Sequence, residues 1–383
     1  MAKIPVSGTC DPRFSAIENA FRRNMQDGDP VCGDELGACV SVVVDGEVVV
    51  DLWGGYSDAA RTQLWARDTT TCMMSVTKAC AAIALLTLID RGVVEMDAKV
   101  SQYWPEFTGG GKESMSVRTL ISHQSGVIYA DAAPAGSLWD GTSVERALEA
   151  ATPEWVPGTG GAYHSFTYGP LLNGLIRRAD GRDVGTYWRE EIAEPFGIDY
   201  GIGLTEEQAA RRAEFVETPG TPSRDGIKGD AESPLLRGWN PMPKDEDFNS
   251  DDWVHNQFAS ANGHGNARAI ARLYGGLSNR GVIDGKRLLS EELIADAISE
   301  HWDDLDRMTN RPFRFGCGFM LSCPPFPFGG QHNNFGHTGI GGAIGFGDPE
   351  RHIGFSYCGN RMAPIADMGP FAGPMIDAVY AAV

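Results

Sequence analysis

The spacing of apolar positions changes period along the chain, and each change marks an element. Over "RFSAIENAFRRNM", Phe14, Ile17, Phe21 and Met25 recur at helical spacing and predict an amphipathic helix. "GACVSVVVDGEVVVDLWGGY" is two β-rich runs around Asp45-Gly46, a dipeptide suited to a tight hairpin turn. From about Thr70 the pattern turns helical and loop-rich. In "MMSVTKACAAIALLTLIDRG" the run after Lys78 is apolar nearly all round, which predicts a core helix, and Arg91-Gly92 supplies a stop. Leu171, Leu172, Leu175 and Ile176 form the apolar face of a further helix, and "DVGTYWREEIAEPFGI" reads as another, closed by Pro195.

A polar stretch rich in Gly, Pro and Asp, Thr221 to Trp253, predicts a long surface excursion near a cleft. "GNARAIARLYGGLSNRG" predicts a helix ending at Gly275, Gly276 or Gly281. Strands then return in "FRFGCGFML" and in "GGAIGFGDPERHIGFSYCGN", a hairpin around Gly347-Asp348-Pro349, and "ADMGPFAGPMIDAVYAAV" closes as a helix. Strands at both ends and helices between them predict an α/β fold of the α+β type: an antiparallel sheet flanked by terminal helices, with a mostly helical insertion. The corresponding division is residues 1–65 with 262–383 for the sheet-bearing unit, and 66–261 for the helical one. A chain of 383 residues is long enough for two such units.

Composition narrows the partners. A formal net charge of −19 repels nucleic acid and anionic membrane, so neither is an expected partner, and no apolar run reaches membrane-spanning length. The eight cysteines form no CxxC pair and no metal-type spacing with the histidines; several sit in apolar runs, where thiols act as small hydrophobes. "MAKIPVSGTCDPRF" has no apolar export region. The expectation is a reduced, cytoplasmic protein without cofactor or metal; oligomeric state is left open.

Chemistry enters at the first turn of the core helix. Ser75 and Lys78 stand three apart and so share a helix face. A nucleophile at a helix start gains free N–H groups and the positive dipole end, both of which favour an oxyanion. A buried lysine loses basicity through desolvation, which lets the neutral amine act as a base. Such a pair also occurs by chance, with the lysine extended to solvent. Two more stretches change the balance. "PGTGGAYHSFTYG" places Tyr163 in a glycine-rich loop ahead of a helix, and "GHTGIGG" places His337, Thr338 and Gly339 at a strand entry where another segment can lie close. Taken alone, Tyr163 reads as a packing plug and His337 as a surface residue.

With these motifs in this order the chain resembles the serine β-lactamase and penicillin-binding-protein superfamily, whose signatures include S-x-x-K and K-T-G. More narrowly, it resembles the class C β-lactamase-like, or family VIII, carboxylesterases. The likeness runs nearly the whole length, through "LWGGYSD", "SVTKACAAIALLTLIDRGVVEMDAKVSQYWPEF" and "GKESMSVRTLISHQSG" as well. It implies an antiparallel sheet with helices on both faces, a helical domain, and a site between them. It also implies roles: Ser75 as the acylated nucleophile, Lys78 and Tyr163 as general bases, and the backbone N–H groups of Ser75 and Ile340 as the oxyanion hole. Ser165, His337, Thr338 and Gly339 would bind substrate. Ser165 stands where lactamases usually have Asn, and His337 where most have Lys. Both departures lean from β-lactams towards uncharged acyl substrates.

The resulting expectation is a serine carboxylesterase acting on a small-molecule ester. Its rivals are a β-lactamase or amide hydrolase, a lactonase or an acyltransferase using the same site, and a non-catalytic binding protein on the same fold. A cell-wall peptidase is disfavoured by the missing export signal. Other candidates carry less. His123 reads as a buried hydrogen-bonding histidine, and His255, His264, His332 and His352 as solvated or loop residues. "KDEDFNSDD" lacks the spacing of a calcium loop. Trp239 and Trp253 are candidates to line an acyl pocket.

Overall fold

The computed structural model describes residues 4–29, 33–218, 234–363 and 368–383. Nine strands form one antiparallel sheet: β1 (Val6–Cys10), β2 (Gly37–Val44), β3 (Glu47–Gly55), β4 (Trp302–Leu305), β5 (Pro312–Phe315), β6 (Met320–Leu321), β7 (Phe335–Gly339), β8 (Ala343–Asp348) and β9 (Ile353–Gly359). Their spatial order is β1-β3-β2-β9-β8-β7-β6-β5-β4, so β2 from the beginning of the chain pairs with β9 from its end, Val40 opposite Tyr357. Asp45 and Gly46 join β2 to β3 with φ of 51° and 84°, the left-handed pair that lets two twisted strands meet in a two-residue turn. Edge strand β1 pairs with β3 and was not anticipated: its five residues alternate too weakly to signal a strand.

Both faces of the sheet are covered. On one lie α1 (Ser15–Gln26) and α5 (Gly369–Tyr380), whose Ile17, Phe21, Met375 and Val379, with Phe14 just ahead of α1, pack against Val40, Val42, Phe346 and Phe355. The opposite face meets α4 (Ala267–Ser278) and, beyond it, the helical region built on α2 (Val76–Asp90) and α3 (Tyr168–Asp180). Every residue of α2 from Val76 to Leu88 is buried, which matches its apolar circumference. Arg91 and Gly92 (φ 71°) end it.

Three boundaries differ from expectation. Helix α4 runs through Gly275 and Gly276 and stops at Asn279, because these glycines serve packing: a Cβ on Gly275 would lie 2.7 Å from Val43 Cγ1, and one on Gly276 2.2 Å from Ile283 Cγ1. Pro195 does not close its helix. A π-helical turn over Arg189–Ala193 loosens the hydrogen-bond register ahead of the proline, and the chain continues to Gly197, whose φ of 58° ends it. The last hairpin turns at 349–352, after Asp348 rather than around it. The predicted excursion falls partly outside the described residues; its described end is folded back, with Met242 and Trp253 buried. Residues 366 and 367 of the predicted final helix also lie outside them.

Helix α4 approaches β9 so closely that a Cβ on Gly354 would meet Ala271 O and Gly275 N, each at 2.2 Å. Backbone on both sides leaves no flexible group to yield. Gly354→Ala is expected to destabilise the protein by about 2 kcal/mol, as overpacking typically does, and to lower the midpoint of urea unfolding. An unchanged midpoint contradicts this helix–sheet contact.

Candidate active site

The segment entering α2 makes the site. Met74 has φ of 47°, a conformation rarely adopted by a side chain of this kind, and it turns the chain so that Ser75 caps the helix. Val76, Thr77 and Lys78 donate their N–H groups to the carbonyls of Met73, Met74 and Ser75. Among the described residues, these bonds leave the Ser75 N–H with no carbonyl partner. Strand β7 ends against this turn: a Cβ on Gly339 would lie 2.3 Å from Met73 O, so only glycine permits the approach that brings Ile340 into the same cavity wall as Ser75.

Lys78 lies directly below. It is 1% exposed, its Nζ is 3.1 Å from Ser75 Oγ, and it donates to Ser260 O at 2.7 Å. The ammonium position is also 4.9 Å from the centre of the Tyr163 ring. Burial pushes the amine well below the ordinary lysine range, with no carboxylate to counter it. Ser260 is itself pinned, donating to Phe166 O at 2.6 Å and accepting from Gly169 N–H at 2.7 Å.

The Tyr163 side chain lines the same cavity as Ser75, near enough for the serine to influence the phenol. Burial raises its pKa above the usual phenol value, and the Ser75 contact only partly opposes this, so the phenol rests protonated. Its ring stacks with Phe313 (centroids 5.9 Å, planes 7° apart), and its N–H donates to the Asp306 carboxylate. Asp306, 1% exposed, also accepts from the N–H of Met308 at 3.0 Å and of Thr309 at 2.6 Å. It thus ties the tyrosine loop to the loop between β4 and β5. Sequence reading missed Asp306; the signal available was the Asp of "DRMT", a residue type that folds back on N–H groups two and three positions on, but its Tyr163 partner lies 143 positions away.

Behind the tyrosine is a polar scaffold. His164 donates its N–H to His123 Nδ1 at 3.1 Å, its Nδ1 bonds Ala162 O at 2.6 Å, and its Nε2 bonds Ser125 Oγ at 2.6 Å. His123 stacks on Tyr168 with centroids 4.1 Å apart, and both histidines are buried. His123 is therefore the buried hydrogen-bonding residue expected of it.

Ser75, Tyr163, Ser165, His337, Thr338 and Ile340 line a single cavity of about 160 Å³, with Lys78 beneath it and Gly339 behind. Trp239 forms part of its wall and donates Nε1–H to Ser165 Oγ at 3.0 Å. Trp253 does not reach it and packs on Phe248 instead. His337 is buried, contrary to the surface placement its motif alone suggests; its Nδ1 bonds Thr338 O at 2.6 Å and its Nε2 has no partner among the described residues. Desolvation lowers its pKa to about 3, so it is a neutral hydrogen-bond acceptor. His264 is a second correction: it is a buried strand residue, bonded through Nδ1 to Asn262 O. A surface depression of about 350 Å³ around Trp139, Asn173 and His255 is larger, but no nucleophile is paired with a base there. Among the described residues no cluster fits a metal ion, and no helix is long and apolar enough to cross a membrane.

The family model described as Beta-lactamase matches residues 18–371. The esterase/beta-lactamase LipL of Mycobacterium tuberculosis is 33% identical over 378 residues, spanning 96% of this chain and 86% of that protein. The crystal structure of a penicillin-binding protein homolog from Caulobacter crescentus superposes with a TM-score of 0.90 at 34% identity, covering 99% of this chain and 100% of that one. That of a family VIII carboxylesterase gives 0.86 at 31% identity, with the same coverage.

The electrostatics set a pH dependence. A lysine with a depressed pKa is in its neutral form above that value and loses it as pH falls through it. The rate at which a fluorophosphonate labels Ser75 should thus reach its plateau well below pH ~10.4, the ordinary lysine value. His337, with a pKa of about 3, adds no inflection between pH 5 and 8. A labelling rate that keeps climbing to about pH 10 contradicts the buried neutral amine.

Proposed function

The chain belongs to the beta-lactamase family, and within it we propose a serine carboxylesterase that works through a Ser75 acyl-enzyme. The observation that carries the proposal is the 3.1 Å approach of Ser75 Oγ to an amine that is buried without an acidic partner. The lone pair of neutral Lys78 takes the Ser75 proton as Oγ attacks the ester carbonyl carbon. The carbonyl oxygen becomes an oxyanion, held by the N–H groups of Ser75 and Ile340; losing one such donor typically costs about 3 kcal/mol in the transition state. Tyr163, protonated at rest, gives its proton to the departing alkoxide and regains one from Lys78. Water then enters by the same path: its proton passes to this pair, its oxygen attacks the acyl carbon, and Ser75 leaves reprotonated. No cofactor takes part.

Sequence segments 66–261 supply Ser75, Lys78, Tyr163 and Ser165, whereas 262–383 supply His337 and Ile340, so the proposed site lies on the seam of the two units read from sequence. Esters are favoured over β-lactams by two features of the cavity. His337 is neutral where a permanent ammonium would attract a lactam carboxylate, and Ser165 is engaged by Trp239 instead of offering an amide.

A fluorophosphonate probe should label the wild type and leave Ser75→Ala dark; equal labelling removes Ser75 as nucleophile. Across p-nitrophenyl esters and nitrocefin, kcat/KM should be at least about tenfold higher for the esters, and faster nitrocefin turnover would reverse the assignment. Tyr163→Phe should lower kcat by about 10²–10⁴-fold, the usual range for a general acid or base, with the urea midpoint little changed. Near-normal turnover excludes the phenol from the proton path.

A further inference from the structure

The cavity wall is mostly apolar, built from Met74, Phe313, Met320, Phe326 and Trp239, yet it includes one arginine, Arg311. Arginine is abundant in this chain and mostly neutralised; three residues on, Arg314 pairs with Glu300 at 2.9 Å. Arg311 forms no ion pair among the described residues. Its guanidinium instead lies 5.4 Å from the centre of the Phe326 ring, another wall residue. Its backbone is fixed, since Arg311 O accepts from Asp306 N–H at 2.8 Å at the base of the hairpin between β4 and β5. The same Asp306 anchors Tyr163 through its carboxylate, so the backbone carrying the cation and the proposed catalytic phenol are fixed by one residue.

An arginine left without an anion in an apolar wall lacks the partner that its planar donor set is shaped to bind. Beyond the reading of the site as an esterase, on which this rests, the geometry points away from the uncharged acyl group that the His337 position alone suggests and to a substrate whose acyl group ends in a carboxylate at Arg311: a half-ester of a short dicarboxylic acid. The acyl group is the portion that stays bonded to Ser75 after the alcohol leaves, and is therefore the portion the cavity beside Ser75 must hold. A volume of about 160 Å³ is close to that of an apolar cavity that admits benzene, so it suits an acyl group of about five or six carbons. Glutaryl fits that length, with its terminal carboxylate on Arg311 and its methylenes against Phe313 and Met320. The charge of −19 does not forbid this. Surface carboxylates are screened over about 8–10 Å at physiological salt, whereas the half-buried guanidinium would act at contact distance.

The test compares mono-p-nitrophenyl glutarate with p-nitrophenyl valerate, which has the same chain length without the charge. Wild-type kcat/KM should favour the glutarate ester by about tenfold or more, as a charge-assisted contact allows. Arg311→Gln should reduce that ratio by about tenfold, Arg311→Lys should keep part of it, and added salt should lower it in the wild type. A wild-type ratio at or below one overturns the inference even if the variants fail to fold, as does a ratio unchanged in Arg311→Gln. Valerate hydrolysis that depends on Ser75 without glutarate preference defeats this inference alone. If neither ester is hydrolysed in a Ser75-dependent manner, the esterase reading fails and this falls with it.

Discussion

An amine enclosed in an apolar helix is costly to keep charged, and the structure around Lys78 offers it no carboxylate. What surrounds it instead is a hydroxyl, a carbonyl and the face of a phenol ring. Much else follows from that constraint. Helix α2 must be rigid and buried all round to hold the amine away from water. The Ser260 carbonyl must be pinned to hold its proton. The phenol must be oriented from behind, by Asp306 and the ring stack, because its front faces the cavity that holds Ser75. The bend at Met74 stores local strain that the buried packing of α2 and the close contact of Gly339 keep in place.

The parts legible in the sequence are those determined by neighbours in the chain. Helix α2 was readable because apolar residues surround it and Arg91-Gly92 stop it, and the pairing of Ser75 with Lys78 follows from one turn of helix. The hairpin at Asp45-Gly46 was readable because its turn demands two left-handed residues. The Tyr163 loop and the His337 strand were only suggestive until their order along the chain resembled a known family. What was not legible depends on distant contacts. Asp306 meets Tyr163 across 143 positions, and Trp239 meets Ser165 across 74. Gly275 and Gly276 read as a helix stop until Val43 and Ile283 are seen against them, and Pro195 reads as one until the π turn before it is seen. His337 looked exposed because a glycine-rich strand entry has no local marker of burial.

The cavity extends this logic from chemistry to selection. Its neutral acceptor at His337, its engaged Ser165 and its arginine at 311 are three polar features in an apolar wall. In a site of this kind a few well-placed polar groups decide which molecule is held, while the apolar surface supplies most of the affinity. Because Asp306 anchors both the tyrosine loop and the hairpin that carries Arg311, the proposed proton path and the proposed recognition element share one structural support.

The state of the Lys78 amine is the point on which the account turns, and it can be observed without any substrate. The chain has seven lysines, so Cε resonances of the ¹³C-lysine-labelled protein can be followed individually against pH. One resonance, absent from Lys78→Met, is expected to titrate well below the others. If all of them titrate together near the ordinary lysine value, Lys78 is charged at neutral pH and cannot take the Ser75 proton as described.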